Sequence, residues 1–542
     1  MGKATGMGKT SARGGFKLFI GVAISSILTA VSLILVMNFL DNPDNYGIVA
    51  TALIFPILIS SLKDWGINAA MVKYLAQYKS ENRIHSSKKV MTAGLLFELI
   101  TGVLLTLASF LLADMLAGIL ATETFPKAEV KILIEFASFT ILADSFLKIS
   151  QSTFIGFERM EFHSLTMILN STIRCFLAPL LVYLGYSVLG AIQGQIVAQL
   201  VAGTVGLVIF YVRFFRQPMN MGVSDLNIKT TLKMLLKYGM PLSVSVIVLG
   251  FLPPFYNALL TQSIPTGTNI SYTNVIGNFQ AAVNFTVLIT FFTVPIATVL
   301  LPAFSKLKPK EEEKTLRIVF NSSVKYGALL TIPVTLMIMV LSEPLVFALL
   351  GVEYTEAPFF LTLYSILFLY TGLGRLSFVA FLNGQGKTEI TMRLFSLTLG
   401  MGLLLGWLLI PQFGAVGLIA TNLIAGLPAL FVGLWWIRKH FGATVDWKAS
   451  AKIFLASGIA AVVTYLLLSP LNASNRIEWL IEVFAGGIIF LVVYLVAAPL
   501  IRAVDKNDVR SLREMLSGLG PFSYVFNIPL KIIEKLSTIF EF

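Results

Sequence analysis

About fourteen stretches of roughly twenty apolar residues follow one another along this chain, each about the length that carries an α-helix across the hydrocarbon of a bilayer. Hydrocarbon offers the backbone no hydrogen bonds, so such stretches must be helical. The fold class that follows is all-α, a polytopic membrane protein of about 14 transmembrane helices. The stretches lie near Phe19–Phe39, Ile48–Ala70, Val90–Leu112, Ile132–Ile155, Leu165–Leu184 and Leu189–Tyr211, then Tyr238–Leu260, Gly277–Leu301, Val324–Leu341, Phe359–Leu382, Thr391–Ile410 and Val416–Ile437, and finally Ala451–Leu468 and Leu480–Ile501. Pro56, Pro179, Pro253-Pro254, Pro295 and Pro333 fall inside them and predict kinked helices rather than loops. In 542 residues no room remains for a large soluble catalytic domain. A charged content of 13%, against roughly 25% in soluble proteins, excludes a soluble enzyme. The one cysteine, Cys175, allows no internal disulfide and no cysteine-based zinc cluster, and reads as a packing residue.

A net charge of +12 would point a soluble chain toward nucleic acid. Here the positions of the cations say something else. Connections sharing a side with the N-terminus carry Lys73, Lys79, Arg83, Lys88, Lys89, Arg159, Arg213, Arg216, Lys229, Lys233 and Lys237, then a run from Lys306 to Lys325, and later Lys387, Arg393, Arg438, Lys439, Lys448 and Lys452. The opposite side has only Lys127, Lys131 and Arg476, beside Asp41, Asp44, Glu123, Glu343, Glu353 and Glu356. Because cytoplasmic loops retain Lys and Arg, both termini are expected in the cytoplasm of a multi-pass cell-membrane protein, with no nucleic-acid partner. The apolar run after Lys3, Lys9, Arg13 and Lys17 is too long for a signal peptide and reads as a retained first helix. Gly6-Met7-Gly8-Lys9-Thr10 lacks the leading glycine and strand of a phosphate-binding loop.

An internal repeat runs at a spacing of about 228 residues: Phe154-Ile155-Gly156-Phe157-Glu158-Arg159 corresponds to Phe381-Leu382-Asn383-Gly384-Gln385-Gly386-Lys387, and Val188-Leu189-Gly190 to Ala415-Val416-Gly417. Two six-helix lobes in parallel repeat, with a substrate cavity between them, are a recurring transporter plan. The expected lobes are 1–225 and 226–440, followed by two further helices in 441–505 and a basic amphipathic cytoplasmic tail in 506–542.

A charge inside a span costs several kcal/mol unless it faces a bundle interior or a wet cavity. The spans hold Lys63, Asp64, Glu98, Asp144, Lys148, Arg174 and Arg375. Lys63, Lys148, Arg174 and Arg375 would line a cavity and hold a phosphate, Arg through its planar fork and Lys as a point charge. Asp64, Glu98 and Asp144 would balance these cations or take up a coupling proton or sodium ion; no other cofactor is called for. The competing reading is structural: Lys63 and Asp64 could snorkel to the membrane surface, and Asp144 with Lys148, spaced i, i+4, could be a closed packing pair. His85, His163 and His440 sit among basic connections and support neither a metal site nor a catalytic triad. Asn269-Ile270-Ser271 and Asn472-Ala473-Ser474 are glycosylation sequons on the expected outer side.

Several motifs together resemble one family. Gly351-Val352-Glu353-Tyr354-Thr355-Glu356-Ala357, Lys237-Tyr238-Gly239-Met240-Pro241, Gly156-Phe157-Glu158-Arg159-Met160, Asn383-Gly384-Gln385-Gly386-Lys387 and Asn45-Tyr46-Gly47 are similar, in order and spacing, to elements of the oligosaccharide flippases. These polysaccharide-type proteins belong to the multidrug, oligosaccharidyl-lipid and polysaccharide exporter superfamily. The resemblance covers most of residues 15–440 and implies two lobes around a cationic cavity. It also implies movement of a polyprenyl-phosphate- or diphosphate-linked oligosaccharide from the inner to the outer leaflet by alternating access, without enzymatic chemistry. Membrane lipids and glycan-assembly enzymes would be the further partners. The rival readings are a cation-coupled multidrug exporter of the same fold, which wants acids in its cavity, and a membrane glycosyltransferase or ligase, which wants a larger outer loop than this sequence offers.

Overall fold

A computed structural model of the chain describes residues 2–504 apart from 64, 82, 122–125, 217–226, 264–270, 306, 308–311 and 472, together with 508–510, 513, 531 and 534–535. Among the described residues every regular element is helical. Asp64, Asn269, Asn472 and most of the expected amphipathic tail lie outside them.

The first part of the chain forms α1 (Gly2–Phe39), α2 (Pro43–Ser61), α3 (Ile67–Ser80), α4 (Ile84–Leu111), α5 (Ala113–Leu120), α6 (Lys127–Gly156), α7 (Met160–Leu181) and α8 (Ser187–Phe210). It continues through α9 (Ile228–Ser263), α10 (Tyr272–Phe285), α11 (Val287–Ser305), α12 (Glu313–Val340), α13 (Ser342–Leu350) and α14 (Ala357–Leu369). The remainder is α15 (Arg375–Gly384), α16 (Thr388–Ala425), α17 (Leu427–Phe441), α18 (Trp447–Leu468) and α19 (Arg476–Leu500). Nine helical stretches among the described residues are long and apolar enough to cross a membrane, and the pair Ala357–Leu373 with Arg375–Gly384, bent by 52°, makes a tenth. Two of the nine, Met160–Phe215 and Thr388–Phe441, run to 56 and 54 residues, enough for two crossings each. All the expected prolines fall within helices.

Two expected spans are broken at residues of positive φ. The run expected at Ile48–Ala70 breaks between Ser61 and Ile67, where Trp65 and Gly66 take positive φ of 45° and 73°. Gly66 there meets the backbone of Gly239, an approach that leaves no space for a Cβ. The run expected at Phe359–Leu382 breaks at Gly374, φ 94°, which places Arg375 at the first position of α15.

The repeat seen in the sequence extends to individual hydrogen bonds. After α6, the amides of Phe157, Glu158 and Arg159 donate to the carbonyls of Thr153, Ile155 and Phe154; after α15, Gln385, Gly386 and Lys387 donate to Phe381, Asn383 and Leu382. Glu158 and Gly386 both have positive φ, 55° and 70°. The later breaks match as well: Ser187 has φ 46° and ψ −130°, and Gly414 has φ 57° and ψ −132°.

The chain packs as two compact units, Met1–Gln280 with Thr398–Thr421, and Ala281–Leu397 with Asn422–Phe542. In the first, Tyr256 is fully buried and its ring lies where Cβ atoms at Gly402 and Gly406 of α16 would stand. Also in the first unit, α2 crosses the start of α10 so closely that Gly47 lies against the Thr273 carbonyl and Gly277 against that of Pro43. Asp44 secures the crossing by accepting from Thr273 Oγ1 at 2.6 Å and Asn274 Nδ2 at 3.0 Å. Gly47→Val should therefore cost about 3 kcal/mol or more through backbone displacement. Thermal unfolding of the purified protein measures it, and an unchanged midpoint would show the crossing to be loose. In the second unit, α12, α18 and α19 pack around Ile453, Phe490 and Tyr494, joined by Ala503, Val504 and Val509 after the last helix. Lys325 holds the buried Asp508 at 2.6 Å.

Candidate functional site

Positions 171, 174 and 178 fall along one face of α7, where Ser171 meets α1 and Ala178 lies against Gly194 of α8. The hydroxyls of Ser25 and Ser171 meet at 2.9 Å, and Ser32 Oγ donates to the Arg174 carbonyl at 3.1 Å. The Arg174 side chain then lines a cavity of about 240 Å³ with Tyr46, Gln195, Pro253, Pro254 and Asn257. A neighbouring cavity of about 270 Å³ is lined by Ser60, Ser61, Thr140, Asp144, Lys148, Gln195 and Gln199. Ile57 and Gln195 line both, so the two adjoin within the first unit.

Lys63 is not on that wall. It is wholly buried behind it, with Nζ 3.1 Å from Asp144 Oδ2, 3.7 Å from Glu98 Oε2 and 2.9 Å from Ser145 Oγ. Asp144 is shared, since Lys148 reaches the same oxygen at 3.0 Å from the cavity side. Glu98, also fully buried, accepts from Asn68 Nδ2 at 2.6 Å, and Asn68 Oδ1 accepts from Ser152 Oγ at 2.8 Å. Four of the expected residues thus form one network of two cations and two anions. Lys63 does not snorkel. The i, i+4 pairing of Asp144 and Lys148 is present, with Lys148 still half-exposed to the cavity.

Arg174 differs from these lysines: among the described residues its guanidinium has no carboxylate within ion-pair distance. Arg375 belongs to the second unit, is exposed, and donates from Nη1 to the Leu367 carbonyl at 3.1 Å. A search for charges alone misses the amides. Gln195 and Gln199 line the cavities one turn apart on α8, and Gln199 Oε1 and Asn257 Oδ1 have no hydrogen-bond partner among the described residues. Three glutamines, Gln193, Gln195 and Gln199, inside a span without charges were the available signal. No group of three metal-ligating side chains occurs among the described residues.

Crossing helices, a parallel repeat and polar cavities enclosed by α1, α2 and α6–α9 define a multi-pass membrane protein of transporter type. Residues 11–308 match the polysaccharide biosynthesis protein family, and the chain belongs to it, within the multidrug, oligosaccharidyl-lipid and polysaccharide exporter superfamily. An uncharacterized membrane protein of Methanocaldococcus jannaschii is 20% identical over 86% of this chain and 90% of its own length. A probable low-salt glycan biosynthesis flippase of Haloferax volcanii, Agl15, is 21% identical over 43% of this chain and 50% of its own. Among solved structures, the lipid II flippase MurJ in an inward closed conformation shares the fold, with a TM-score of 0.68 over 89% of this chain and 98% of that one at 17% identity. The solved structures that share this fold include a flippase and multidrug transporters.

Proposed function

We propose that this protein moves a polyprenyl-phosphate- or diphosphate-linked oligosaccharide from the inner to the outer leaflet by alternating access. The observation that carries the reading is Arg174, a guanidinium on a cavity wall that meets no carboxylate among the described residues. A fork of donors in a site of low dielectric suits a phosphate group. Lys148, on the adjoining cavity, adds a point charge. Gln195, Gln199 and Asn257 offer amide donors and acceptors to sugar hydroxyls, while the lipid tail stays in the bilayer. The need for such a protein is physical, because a charged phosphate with many hydroxyls does not cross hydrocarbon unaided.

The multidrug reading is the weaker one. Asp144 is the acid on these cavity walls among the described residues, and Lys63 and Lys148 already hold it. For a coupling proton or sodium ion, Asp144 is the acid that meets the cavity, with Glu98 and Lys63 behind it as balance. Lys and Arg placement along the sequence supports cytoplasmic termini. Arg375, in the second unit, is carried forward as a separate cation for the same cargo.

Depleting the protein is expected to make a lipid-linked saccharide accumulate in the inner leaflet, and wild-type protein should clear it. Unchanged distribution of every lipid-linked saccharide between the leaflets would sink the reading.

A further inference from the structure

Three ends of apolar stretches meet at one level of the first unit: α4 starts at Ile84, α7 starts at Met160, and the stretch containing α8 ends at Phe215. A third cavity, of about 200 Å³, lies there, outside the site described above. It is lined by Lys79, Lys88 and Arg159 and walled by Tyr78, Phe157 and Phe214. Neither helix start has a side-chain cap, their cap residues being Arg83 and Arg159; the first turn of α4 holds no acid, while that of α7 holds Glu161. Lys88 Nζ also stands 5.8 Å from the centre of the Phe215 ring. Cations, helix N-termini without side-chain caps and an aromatic wall at the edge of the hydrocarbon are together the chemistry that captures phosphate.

The charges here already have partners. Lys79 reaches Glu158 and the Phe157 carbonyl, each at 2.8 Å, and Arg159 reaches Glu161 at 3.4 Å. All four side chains are a third or more exposed, where such pairs contribute little and can be exchanged for a stronger anion. The second repeat shows that the fold does not require the Lys79–Glu158 pair, although Lys387 and Glu389 stand where Arg159 and Glu161 do. Across the 228-residue offset Lys79 becomes Leu307 and Glu158 becomes Gly386. The same turn is closed by neutral groups, with Gln385 Nε2 donating to the carbonyls of Phe304 at 2.6 Å and Leu307 at 3.2 Å. In that repeat α12 also opens with Glu313, an acid that itself offsets the positive end of the helix dipole, whereas the first turn of α4 holds none.

We propose that this cavity binds a phosphate group, carried by an anionic phospholipid or free in solution. The site is independent of what the Arg174 cavity carries. The test uses the full-length protein in neutral detergent, with dioleoylphosphatidylglycerol, a phosphatidylcholine of the same chains and inorganic phosphate as probes, read by native mass spectrometry and thermal shift. Saturable binding of phosphatidylglycerol over phosphatidylcholine assigns the site to lipid; saturation by inorganic phosphate assigns it to the free anion. Lys88→Gln with Arg159→Gln should weaken that binding by about tenfold or more through two lost charge-assisted contacts. Lys229→Gln with Lys233→Gln, an equal charge loss elsewhere, should leave it unchanged, and Lys88→Arg should retain it even if the double variant fails to fold. The proposal is overturned if neither probe saturates, if the two double variants bind alike, or if Lys88→Arg loses binding.

Discussion

Replacing Arg174 with alanine is expected to abolish transport, with a loss of about 100-fold or more, while folded protein stays at wild-type abundance. The loss follows from two charge-assisted hydrogen bonds to phosphate at about 1.5–3 kcal/mol each. Abundance is spared because no carboxylate is left unpaired when this guanidinium goes. Arg174→Lys keeps the charge without the fork, and so should transport at an intermediate rate. The measurement is movement of a lipid-linked saccharide in proteoliposomes, paired with size-exclusion chromatography of the same preparations. Wild-type transport by Arg174→Ala would remove the residue from the site, and aggregation would show it to be a packing element instead.

Lys63→Met should do the reverse of that pattern. It removes the cation that meets both Glu98 and Asp144, and breaking a buried ion pair from one side costs about 3–5 kcal/mol. The protein should unfold at markedly lower temperature in detergent. Adding Glu98→Gln should restore much of the stability, because Asp144 keeps Lys148 and the new amide oxygen can still accept from Asn68. If Lys63→Met unfolds at the wild-type midpoint, or if the double variant is no better than the single one, the network does not hold the helices as described.

Lys63 and Arg174 show how far the sequence could be read. Both were visible as charges inside apolar runs, and the cost of such charges marked them as meaningful. What separates them is where their side chains end. For Lys63 that follows a chain break at Trp65 and Gly66, where the backbone of Gly239, far away in sequence, comes too close for a side chain. The membrane class, the placement of the prolines within helices and the parallel repeat were legible because each is written in periodicity, composition or spacing. The repeat was the most informative, since a weak likeness of letters turned out to be a shared set of hydrogen bonds after α6 and α15. The break at Gly374 was not legible, because glycine inside an apolar run is common and only its positive φ reveals the turn. The amides of α8 were missed for a different reason: an uncharged polar group in a span costs less than a charge and stands out less.

The seat of Tyr256 has a consequence for how the protein is made. The ring rests on Gly402 and Gly406, which the ribosome reaches only after more than a hundred residues of the other unit have been threaded into the membrane. At ordinary elongation rates the gap from residue 280 to residue 421 lasts roughly ten to thirty seconds. Through that interval the nascent first unit has an open flank, and a membrane chaperone or the insertion machinery has something to shield. Completion of the older half thus waits on a helix from late in translation, so a transcript cut before that point yields an unfinished first unit rather than a working half.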